Sequence, residues 1–333
     1  MKIAFFETED WEQEIIKREL KSHELAFFNR HFEEKDVSRL QDTDILAVFI
    51  YSKITKNVIN KLPNLKMIAA MSTGYDNIDV EHCRKKGILV ANVPAYGENT
   101  VAEHTFALIL ALSRKLFPSI KRTHELQMFE TDEGLRGFDL KGKTIGIIGL
   151  GNIGKHVARI AKGFEMKILA CTRHPDKNLV RELGIKIVSF DSVLRNSDII
   201  SLHVPYCKET HHMVDKNAIS KMKHGAILVN TARGGVVDTD ALVKGLETGK
   251  IAGAALDVIE GENEIKEEKQ LLHRKFRESV KRVMLNDHLL MKMNNVIITP
   301  HNAFNSKEAL LRIINTTIEN IIQFSKKRVK NKV

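Results

Sequence analysis

The sequence is poor in cysteine. Cys83, Cys171 and Cys207 are the three such residues in a chain of 333. Their wide spacing lacks the clustered ligands that a metal site needs, and an odd number does not suit a disulfide framework. These absences predict a protein without a metal centre that works in a reducing cytoplasm.

Long apolar runs are also missing. The longest, FALILAL at 106–112, is far too short to span a bilayer, and the segment KIAFF directly after Met1 lacks the pattern of a signal peptide. Six prolines and the absence of any low-complexity tract are typical of a folded, soluble chain. A chain of this length predicts two hydrophobic cores rather than one. We therefore expect no association with a membrane.

The sequence has fewer acidic than basic residues. There are 52 Lys and Arg residues against 42 Asp and Glu, giving a formal net charge of +10, and the stretch KKRVKNK at 326–332 is strongly basic. No nucleic-acid-binding motif accompanies this charge, so we interpret it as a lysine-rich solvated surface with a frayed terminus. We expect no nucleic-acid partner. The positive field would still favour anionic cofactors and carboxylate substrates.

What the sequence does contain is an alternation of short β-branched runs with helix-length segments. The predicted strands are 2–6, 24–28, 44–50, 65–71, 88–93, 143–148, 167–171, 185–189, 198–203, 226–230, 251–256 and 296–299. The helical patterns between them include 10–21, 77–86, 152–163, 176–183 and 238–248. Such alternation is typical of parallel sheets covered on both faces, and twelve strands exceed one comfortable open sheet. The predicted fold class is α/β, with two doubly wound parallel-sheet domains.

A long helix is predicted between residues 98 and 118. Thr100 and Glu103 have the spacing of a capping box, and Pro118 cannot continue a helix. Because the residues between these signals are apolar on nearly every side, we expect the helix to be buried all round. A final helix at about 306–324 is also strongly apolar and must pack on another element.

Residues 263–292 interrupt the alternation. They are charged and amphipathic, and the segment is long for a connection. We interpret them as an insertion with helical content, and the sequence leaves open whether it is a lid or an oligomer contact.

A glycine cluster, GLGNIG at 149–154, lies between a predicted strand and a predicted helix. Gly149 permits the tight turn, Gly151 lets the backbone approach a pyrophosphate, and Gly154 allows close packing of helix on strand. The diphosphate would bind to amides at the helix N-terminus, where the helix dipole favours negative charge. In this context the cluster predicts dinucleotide binding.

The stretch ILACTRH at 168–174 lacks an expected residue. About 20 residues after such a glycine cluster, an Asp or Glu usually binds the ribose of NAD, whereas here the strand ends in Thr172 and Arg173. A guanidinium pairs with a 2′-phosphate, which a carboxylate would repel. We therefore expect NADP or dual use, with NAD remaining possible if Arg173 points to solvent.

Polar residues follow three later strands, at the edge where an open α/β sheet binds its ligand. Arg233 follows 226–230, Asp257 and Glu262 follow 251–256, and His301 follows 296–299. Each has an ordinary structural explanation when taken singly. Together they suit carbonyl reduction. Hydride adds to the carbonyl carbon while the carbonyl oxygen becomes negative, so the site needs a cation and a proton donor. Arg233 can bind a substrate carboxylate or polarise the carbonyl, and His301 can act as acid or base, with Glu262 stabilising its imidazolium form.

With these residues, the chain resembles the D-isomer-specific 2-hydroxyacid dehydrogenase family over essentially its whole length. The stretches that carry the resemblance are STGYDNID (72–79), VPAYGENTVAEHTFALILALSRK (93–115), GLGNIG, NTARGGVVD (230–238), LDV with its glutamate (256–262) and TPHNAF (299–304). The resemblance implies a Rossmann cofactor domain at 100–299, inserted into a flavodoxin-like substrate domain made of 1–99 and 300–333. It also implies a homodimer built partly from the segment around 100–140.

The resemblance implies roles for individual residues. The implied catalytic residues are Arg233, Glu262 and His301. Ser72, Thr73 and Gly74 would bind the substrate carboxylate. The implied cofactor-binding residues are Gly149, Gly151, Asn152, Ile153, Gly154, Thr172, Arg173, Val204, Pro205, Thr231 and Asp257, the last near the nicotinamide amide.

Within the family the motifs around 93–105 and 301–321 look most like the D-lactate dehydrogenase branch. Tyr96, Tyr51 and Phe304 are then candidate walls of a pyruvate-sized pocket, although they could equally be ordinary core residues. CTRH instead resembles the NADP-tolerant glyoxylate and hydroxypyruvate reductases. A corepressor-like scaffold that senses NAD without turnover is a third alternative, disfavoured because the chain has no long disordered tail. We expect an enzyme that reversibly reduces a small 2-keto acid, with pyruvate as the leading substrate.

Overall fold

Residues 1–262 and 277–333 are described in a computed structural model of the chain, and they form two compact units. Unit 1 consists of Met1–Tyr96 and Asn305–Val333, and unit 2 consists of Gly97–Phe304. The division into a substrate domain (1–99 and 300–333) and a cofactor domain (100–299) stays a prediction.

Unit 1 is built on a parallel sheet. Its described strands are β1 (Lys2–Phe6), β2 (Glu24–Phe28), β3 (Ile45–Val48), β4 (Met67–Ala70) and β5 (Leu89–Ala91), in the order β2-β1-β3-β4-β5. Its first helices are α1 (Asp10–Glu19), α2 (Lys56–Asn60) and α3 (Val80–Lys85), with a 3₁₀ turn at Glu34–Arg39. Strands β3 and β4 are buried along their whole length, because helices cover both faces of a parallel sheet.

The C-terminal residues complete unit 1. The last helix of the chain (α12, Lys307–Ser325) packs on α1 and β4. Beyond it, Asn92 N donates to Asn331 O at 3.0 Å and Val333 N donates to Val90 O at 3.1 Å, while Val329 is buried. The interpretation of 326–332 as a frayed terminus is therefore wrong, because this segment pairs with β5 and covers its open edge.

Unit 2 holds a second parallel sheet, in the order β12-β11-β10-β9-β6-β7-β8. Its described strands are β6 (Thr144–Ile148), β7 (Lys167–Cys171), β8 (Lys186–Ile187), β9 (Ile199–Leu202), β10 (Ala226–Asn230), β11 (Ile251–Leu256) and β12 (Val296–Ile298). Its described helices are α4 (Glu98–Ser113), α5 (Leu116–His124), α6 (Asn152–Gly163), α7 (Lys177–Leu183), α8 (Phe190–Asn196), α9 (Lys216–Lys221), α10 (Thr239–Glu247) and α11 (Glu278–Lys292). Short 3₁₀ turns lie at Glu133–Leu135 and Gly234–Val236.

All twelve predicted strands are present in the described residues, and every strand pair is parallel. The prediction of two parallel-sheet α/β domains is confirmed. No helix in the described ranges is long and apolar enough to cross a membrane. In the same ranges, no group of three or more His, Cys, Asp or Glu side chains could hold a metal ion.

The long helix predicted at 98–118 differs from the observed one. Helix α4 begins at Glu98 with Gly97 as its N-cap, so Thr100 lies within the first turn and the predicted capping box is absent. The chain leaves the helix after Ser113, and Lys115 adopts a left-handed backbone (φ 53°). Helix α5 then accommodates Pro118 in its first turn, where a missing amide costs little. Asn99, Glu103 and Ala107, spaced four residues apart, form an exposed stripe, so α4 is not buried all round.

The second half of the predicted insertion at 263–292 is helical, as expected. Helix α11 packs on α10, and Arg282 and Asn286 both contact Asp240. The Asp287 carboxylate accepts a hydrogen bond from Gly261 N at 2.9 Å. Residues 263–276 lie outside the described residues, and the role of the insertion as a lid or oligomer contact stays open.

Candidate active site

The glycine turn between β6 and α6 has the geometry that the motif predicts. Gly149 adopts φ +96°, and a Cβ there would lie 2.5 Å from the carbonyl oxygen of His203. A Cβ on Gly154 would lie 2.1 Å from the carbonyl oxygen of Gly149, so α6 can pack this closely on the turn only with glycine. Both positions therefore exclude larger residues for reasons of backbone geometry.

Gly151 differs from these two because a Cβ there would meet no atom within 4 Å. It is the N-cap of α6, and no side chain caps the helix. Exposed helix amides beside open space are what a diphosphate requires, since the amides donate and the helix dipole favours the anion. This turn therefore fits a dinucleotide. Asn152 and Ile153 form the first turn of the same helix, and Asn152 Nδ2 lies 3.5 Å from Glu98 Oε1.

Strand β7 ends at Cys171, next to the glycine turn, with Gly149 N donating to Cys171 O at 2.9 Å. Thr172 is half-buried and Arg173 is exposed. The nearest following carboxylate, Asp176, caps α7 by accepting from the amides of Asn178 and Leu179. The segment after β7 thus presents a hydroxyl and a guanidinium, while its own carboxylate is engaged elsewhere.

The other predicted cofactor residues lie after β9 and β10 in the same unit. Pro205 O accepts from the Thr210 hydroxyl at 2.7 Å, which closes the loop after β9, and Val204 is half-buried. Thr231 is buried and its hydroxyl lies 3.0 Å from that of Thr105 on α4. These residues share the carboxyl edge of the sheet with the glycine turn.

His301 and Glu262 form a direct pair. The Nδ1 atom of His301 lies 2.8 Å from Glu262 Oε1, and both side chains are about one-fifth exposed. An ionised carboxylate only accepts, so Nδ1 carries a proton in this pair. The bond also fixes the orientation of the ring, which leaves Nε2 as the nitrogen able to exchange a proton with a ligand.

The loop that carries His301 is held by Asp257. Its carboxylate accepts from Thr299 Oγ1 at 2.5 Å and from the amides of Asn302 and Ala303 at 2.8 and 2.9 Å, and its carbonyl accepts from His301 N at 2.8 Å. Burial alone would raise the pKa of Asp257, but the hydrogen bonds from His104, Thr299 and the two amides hold this pKa below its usual range. Asp257 is thus an ionised anchor for the histidine loop. It was predicted to lie near the nicotinamide amide, and that role stays a prediction.

Arg233 follows β10 and is the residue before the 3₁₀ turn Gly234–Val236. Asn230, which is buried, shapes this loop: its Oδ1 accepts from Ala232 N at 3.0 Å, and its Nδ2 donates to Arg233 O at 2.9 Å. A Cβ on Gly234 would lie 2.1 Å from the backbone of Ile259, so the loop packs directly on the chain that follows β11. The backbone of Arg233 is therefore fixed on both sides.

Residues 72–74 follow β4 in unit 1. The Ser72 hydroxyl donates to Gly74 O at 2.6 Å, and the Thr73 hydroxyl donates to Val93 O at 2.8 Å. Asn92 Nδ2 donates to Thr73 O at 2.8 Å. Both hydroxyls and the Thr73 carbonyl are thus engaged with the backbone or with Asn92, which holds the loop in one shape.

None of the three predicted pocket aromatics is a core residue, since each is half-buried. Tyr51 N donates to Glu7 Oε1 at 2.9 Å in unit 1, and Tyr96 O accepts from Arg312 Nε at 2.5 Å in the same unit. The Phe304 ring stands edge-on to the His301 ring, with centroids 6.4 Å apart, in unit 2. Their incomplete burial leaves apolar surface that a ligand can cover.

Two polar residues near His301 were not predicted. His104 lies on α4, and its Nε2 is 3.1 Å from Thr299 Oγ1. Thr299 was noted only as part of the motif before the histidine. The available signal was a single histidine in the helix α4, which does not identify its partner 195 residues away.

Comparison with known proteins identifies the family. The profile of the D-isomer specific 2-hydroxyacid dehydrogenase NAD binding domain matches residues 106–303. A glyoxylate reductase of Thermococcus litoralis is 37% identical over 295 residues, covering 87% of this chain and 83% of the relative. A D-lactate dehydrogenase of Escherichia coli is 32% identical over 333 residues, covering 98% of this chain and 97% of the relative.

The same result comes from solved structures. The crystal structure of D-lactate dehydrogenase from Aquifex aeolicus, complexed with NAD and lactic acid, matches with a TM-score of 0.90 at 37% identity, covering 99% of this chain and 98% of that one. As the resemblance predicted, this chain belongs to the D-isomer-specific 2-hydroxyacid dehydrogenase family and carries its NAD-binding domain.

Proposed function

We propose that this protein reversibly reduces a small 2-keto acid to the D-2-hydroxy acid, with pyruvate as the leading substrate and His301 as the acid and base. The observation that carries the proposal is the 2.8 Å pair between His301 Nδ1 and Glu262 Oε1, in the unit that holds the glycine turn.

The nicotinamide cofactor, when bound, supplies or accepts the hydride. The chain moves the proton: in the reducing direction, the doubly protonated ring of His301 gives its Nε2 proton to the substrate oxygen as negative charge develops there. Glu262 stabilises the charged ring before this transfer. In the oxidising direction, the neutral ring takes the hydroxyl proton back at the same nitrogen.

For the substrate we propose two groups of residues. The guanidinium of Arg233 binds the carboxylate or polarises the carbonyl, because its planar fork matches both oxygens. The backbone of Ser72, Thr73 and Gly74 also binds the carboxylate. Tyr51, Tyr96 and Phe304 are the proposed apolar walls for the methyl group of the substrate.

Glyoxylate or hydroxypyruvate reduction is the second candidate. It is favoured by the Thermococcus litoralis relative, which is a glyoxylate reductase, and by the Thr172–Arg173 pair after β7. The two candidates share the reaction and differ in the group attached to the keto carbon.

Initial rates for pyruvate, glyoxylate and hydroxypyruvate, each with NADH and NADPH, test the proposal. We expect pyruvate to give the highest kcat/KM and the product to be the D isomer by chiral chromatography. A preference of tenfold or more for glyoxylate or hydroxypyruvate would assign the second candidate instead. If none of the three consumes either reduced cofactor, the enzyme proposal fails.

Cofactor preference depends on Thr172 and Arg173, and we propose that NADP is accepted as well as NAD. The substitution Thr172→Asp should lower kcat/KM for NADPH at least tenfold and leave kcat/KM for NADH unchanged. The reason is that a carboxylate repels the 2′-phosphate of NADPH and accepts a hydrogen bond from the 2′-hydroxyl of NADH. Thr172→Asn is the uncharged control of equal size and should change the ratio much less. If the wild-type protein already strongly prefers NADH, the proposed role of Arg173 is wrong and the dehydrogenase proposal stands.

We also propose a homodimer that uses the arm from Leu116 to Phe129. This arm exposes a series of large apolar side chains, namely Leu116, Phe117, Ile120, Leu126, Met128 and Phe129, and the last is 96% exposed. Several exposed large apolar side chains within one short segment are typical of a protein contact. The proposed compartment is the cytoplasm, on the ground that all three cysteines are unpaired thiols.

The dimer proposal predicts that Phe129→Asp lowers the mass measured by light scattering from that of a dimer towards the 37.8 kDa of one chain. A charge buried in an apolar contact costs several kcal/mol unless it is paired. Ile187→Asp, which changes an exposed isoleucine on β8, is the matched control and should leave the mass unchanged. A wild-type protein that is monomeric at micromolar concentration would contradict the proposal.

A further inference from the structure

His104 has no role in the proposed function. It lies on α4 and its side chain is one-fifth exposed. Its Nε2 atom is 3.1 Å from Thr299 Oγ1 and 3.5 Å from Asp257 Oδ1. An imidazole in a largely apolar helix is retained at a cost unless it finds partners. The partners here are Thr299, which begins the histidine loop, and Asp257, which follows β11 and holds that loop.

The three groups form a chain of hydrogen bonds with a fixed direction. Asp257 is ionised, because the hydrogen bonds it accepts hold its pKa low, so its oxygens only accept. Thr299 Oγ1 lies 2.5 Å from Asp257 Oδ1 and must therefore give that oxygen its single proton. With its proton committed, Thr299 Oγ1 can only accept from His104, which requires a proton on His104 Nε2.

The chain ends on the backbone that carries His301. Asp257 accepts from the amides of Asn302 and Ala303 and, through its carbonyl, from the amide of His301. His301 has a left-handed backbone (φ 51°), which is unfavourable for a residue other than glycine. Such a conformation persists only where its surroundings hold it. The Asp257 contacts hold it here, together with the His301–Glu262 pair and the hydrogen bond from His301 N to Thr299 O at 2.9 Å.

We propose that His104 is a positioning residue for the reaction: by donating to Thr299, it fixes the hydroxyl that, with Asp257, holds the backbone of His301. This inference rests on the proposed role of His301 as acid and base. The proposed action of His104 runs through Thr299 and Asp257. The histidine acts by keeping the Thr299 proton directed at Asp257 and so limits the orientations open to the loop.

Three variants test the inference. His104→Phe keeps the ring volume and removes the donor, and His104→Gln restores an amide donor near the position of Nε2. Thr299→Val removes the relaying hydroxyl without changing the size of the side chain. Kinetic constants are measured for each, together with NADH affinity by fluorescence titration and the melting temperature.

We expect His104→Phe to lower kcat about 10- to 100-fold, the loss that a displacement near 1 Å at a reacting group can cause. The KM for the keto acid and the affinity for NADH should change less than threefold. His104→Gln should recover most of the lost kcat, and Thr299→Val should reproduce the loss. The double variant His104→Phe/Thr299→Val should be no worse than the poorer single variant, because both break the same chain.

The inference is overturned if His104→Phe retains wild-type kcat, or if the two single losses multiply in the double variant. It is also overturned if His104→Gln and His104→Phe lose kcat and melting temperature equally, since that result assigns a purely structural role. His301→Ala separates this outcome from failure of the proposed function. If His301→Ala loses turnover while His104→Phe does not, only the role of His104 is wrong.

Discussion

His301→Ala should lower kcat about 10³-fold while leaving the dissociation constant for NADH within about twofold of wild type. Proton transfer by a positioned side chain contributes roughly 10²–10⁴ to a rate, and this substitution removes the proposed donor together with its link to Glu262. The cofactor is expected to bind at the glycine turn, which the substitution does not touch. Steady-state kinetics and fluorescence titration measure the two quantities independently.

The chain offers a closely matched control in His212. It pairs with Glu260 at 2.6 Å and also has a left-handed backbone (φ 49°). His212→Ala thus removes a histidine–glutamate pair with the same unusual backbone from the same unit, and it should keep kcat within about threefold of wild type. Equal losses of turnover in the two variants, or a parallel loss of turnover and NADH affinity in His301→Ala, would refute an acid–base role for His301.

Arg233→Gln should lower kcat/KM for the 2-keto acid about 10²- to 10³-fold. Removing one partner of a hydrogen-bonded charge pair costs about 2–5 kcal/mol, and each 1.36 kcal/mol corresponds to a tenfold change in rate. Since glutamine keeps one amide donor and removes the charge, the loss reports on the pairing with the substrate carboxylate or carbonyl oxygen. The affinity for NADH should change little.

Arg173→Gln is the control for Arg233→Gln, because it removes an exposed arginine from the proposed cofactor site. This variant should weaken the binding of NADPH. With NADH as the cofactor, its kcat and KM for the keto acid should stay near those of the wild type. Added guanidinium should restore part of the activity of Arg233→Gln and none of the activity of His301→Ala. If Arg233→Gln retains its keto-acid kinetics, another cation must bind the substrate, and the proposed site is wrong at this residue.

The strands were predictable because parallel sheets require continuous apolar runs. Segments such as MIAA in β4 and AILVN in β10 are buried at every position, and no helical period competes with them. The glycine turn was predictable for a similar reason, since Gly149 and Gly154 are required by the backbone itself. Local chemistry decided both features.

The predictions that failed depended on distant contacts. Thr100 and Glu103 have the spacing of a cap, but helix α4 starts at Glu98 with Gly97 as its N-cap, so Thr100 is a buried residue within the first turn. Lys115, where α4 ends, has a left-handed backbone that its residue type does not predict. The role of His104 was not predicted either, because its partner Thr299 is distant in the sequence and no periodic pattern connects the two residues.

The division of unit 1 between residues 1–96 and 305–333 has a consequence for biosynthesis. A nascent chain presents β4 and the edge of β5 to the cell long before α12 and residues 329–333, which cover them, have left the ribosome. Unit 2 is continuous in sequence and can fold as soon as it emerges. Translation therefore completes unit 2 first, and during that interval the unfinished sheet of unit 1 is the surface at which chaperones and aggregation compete.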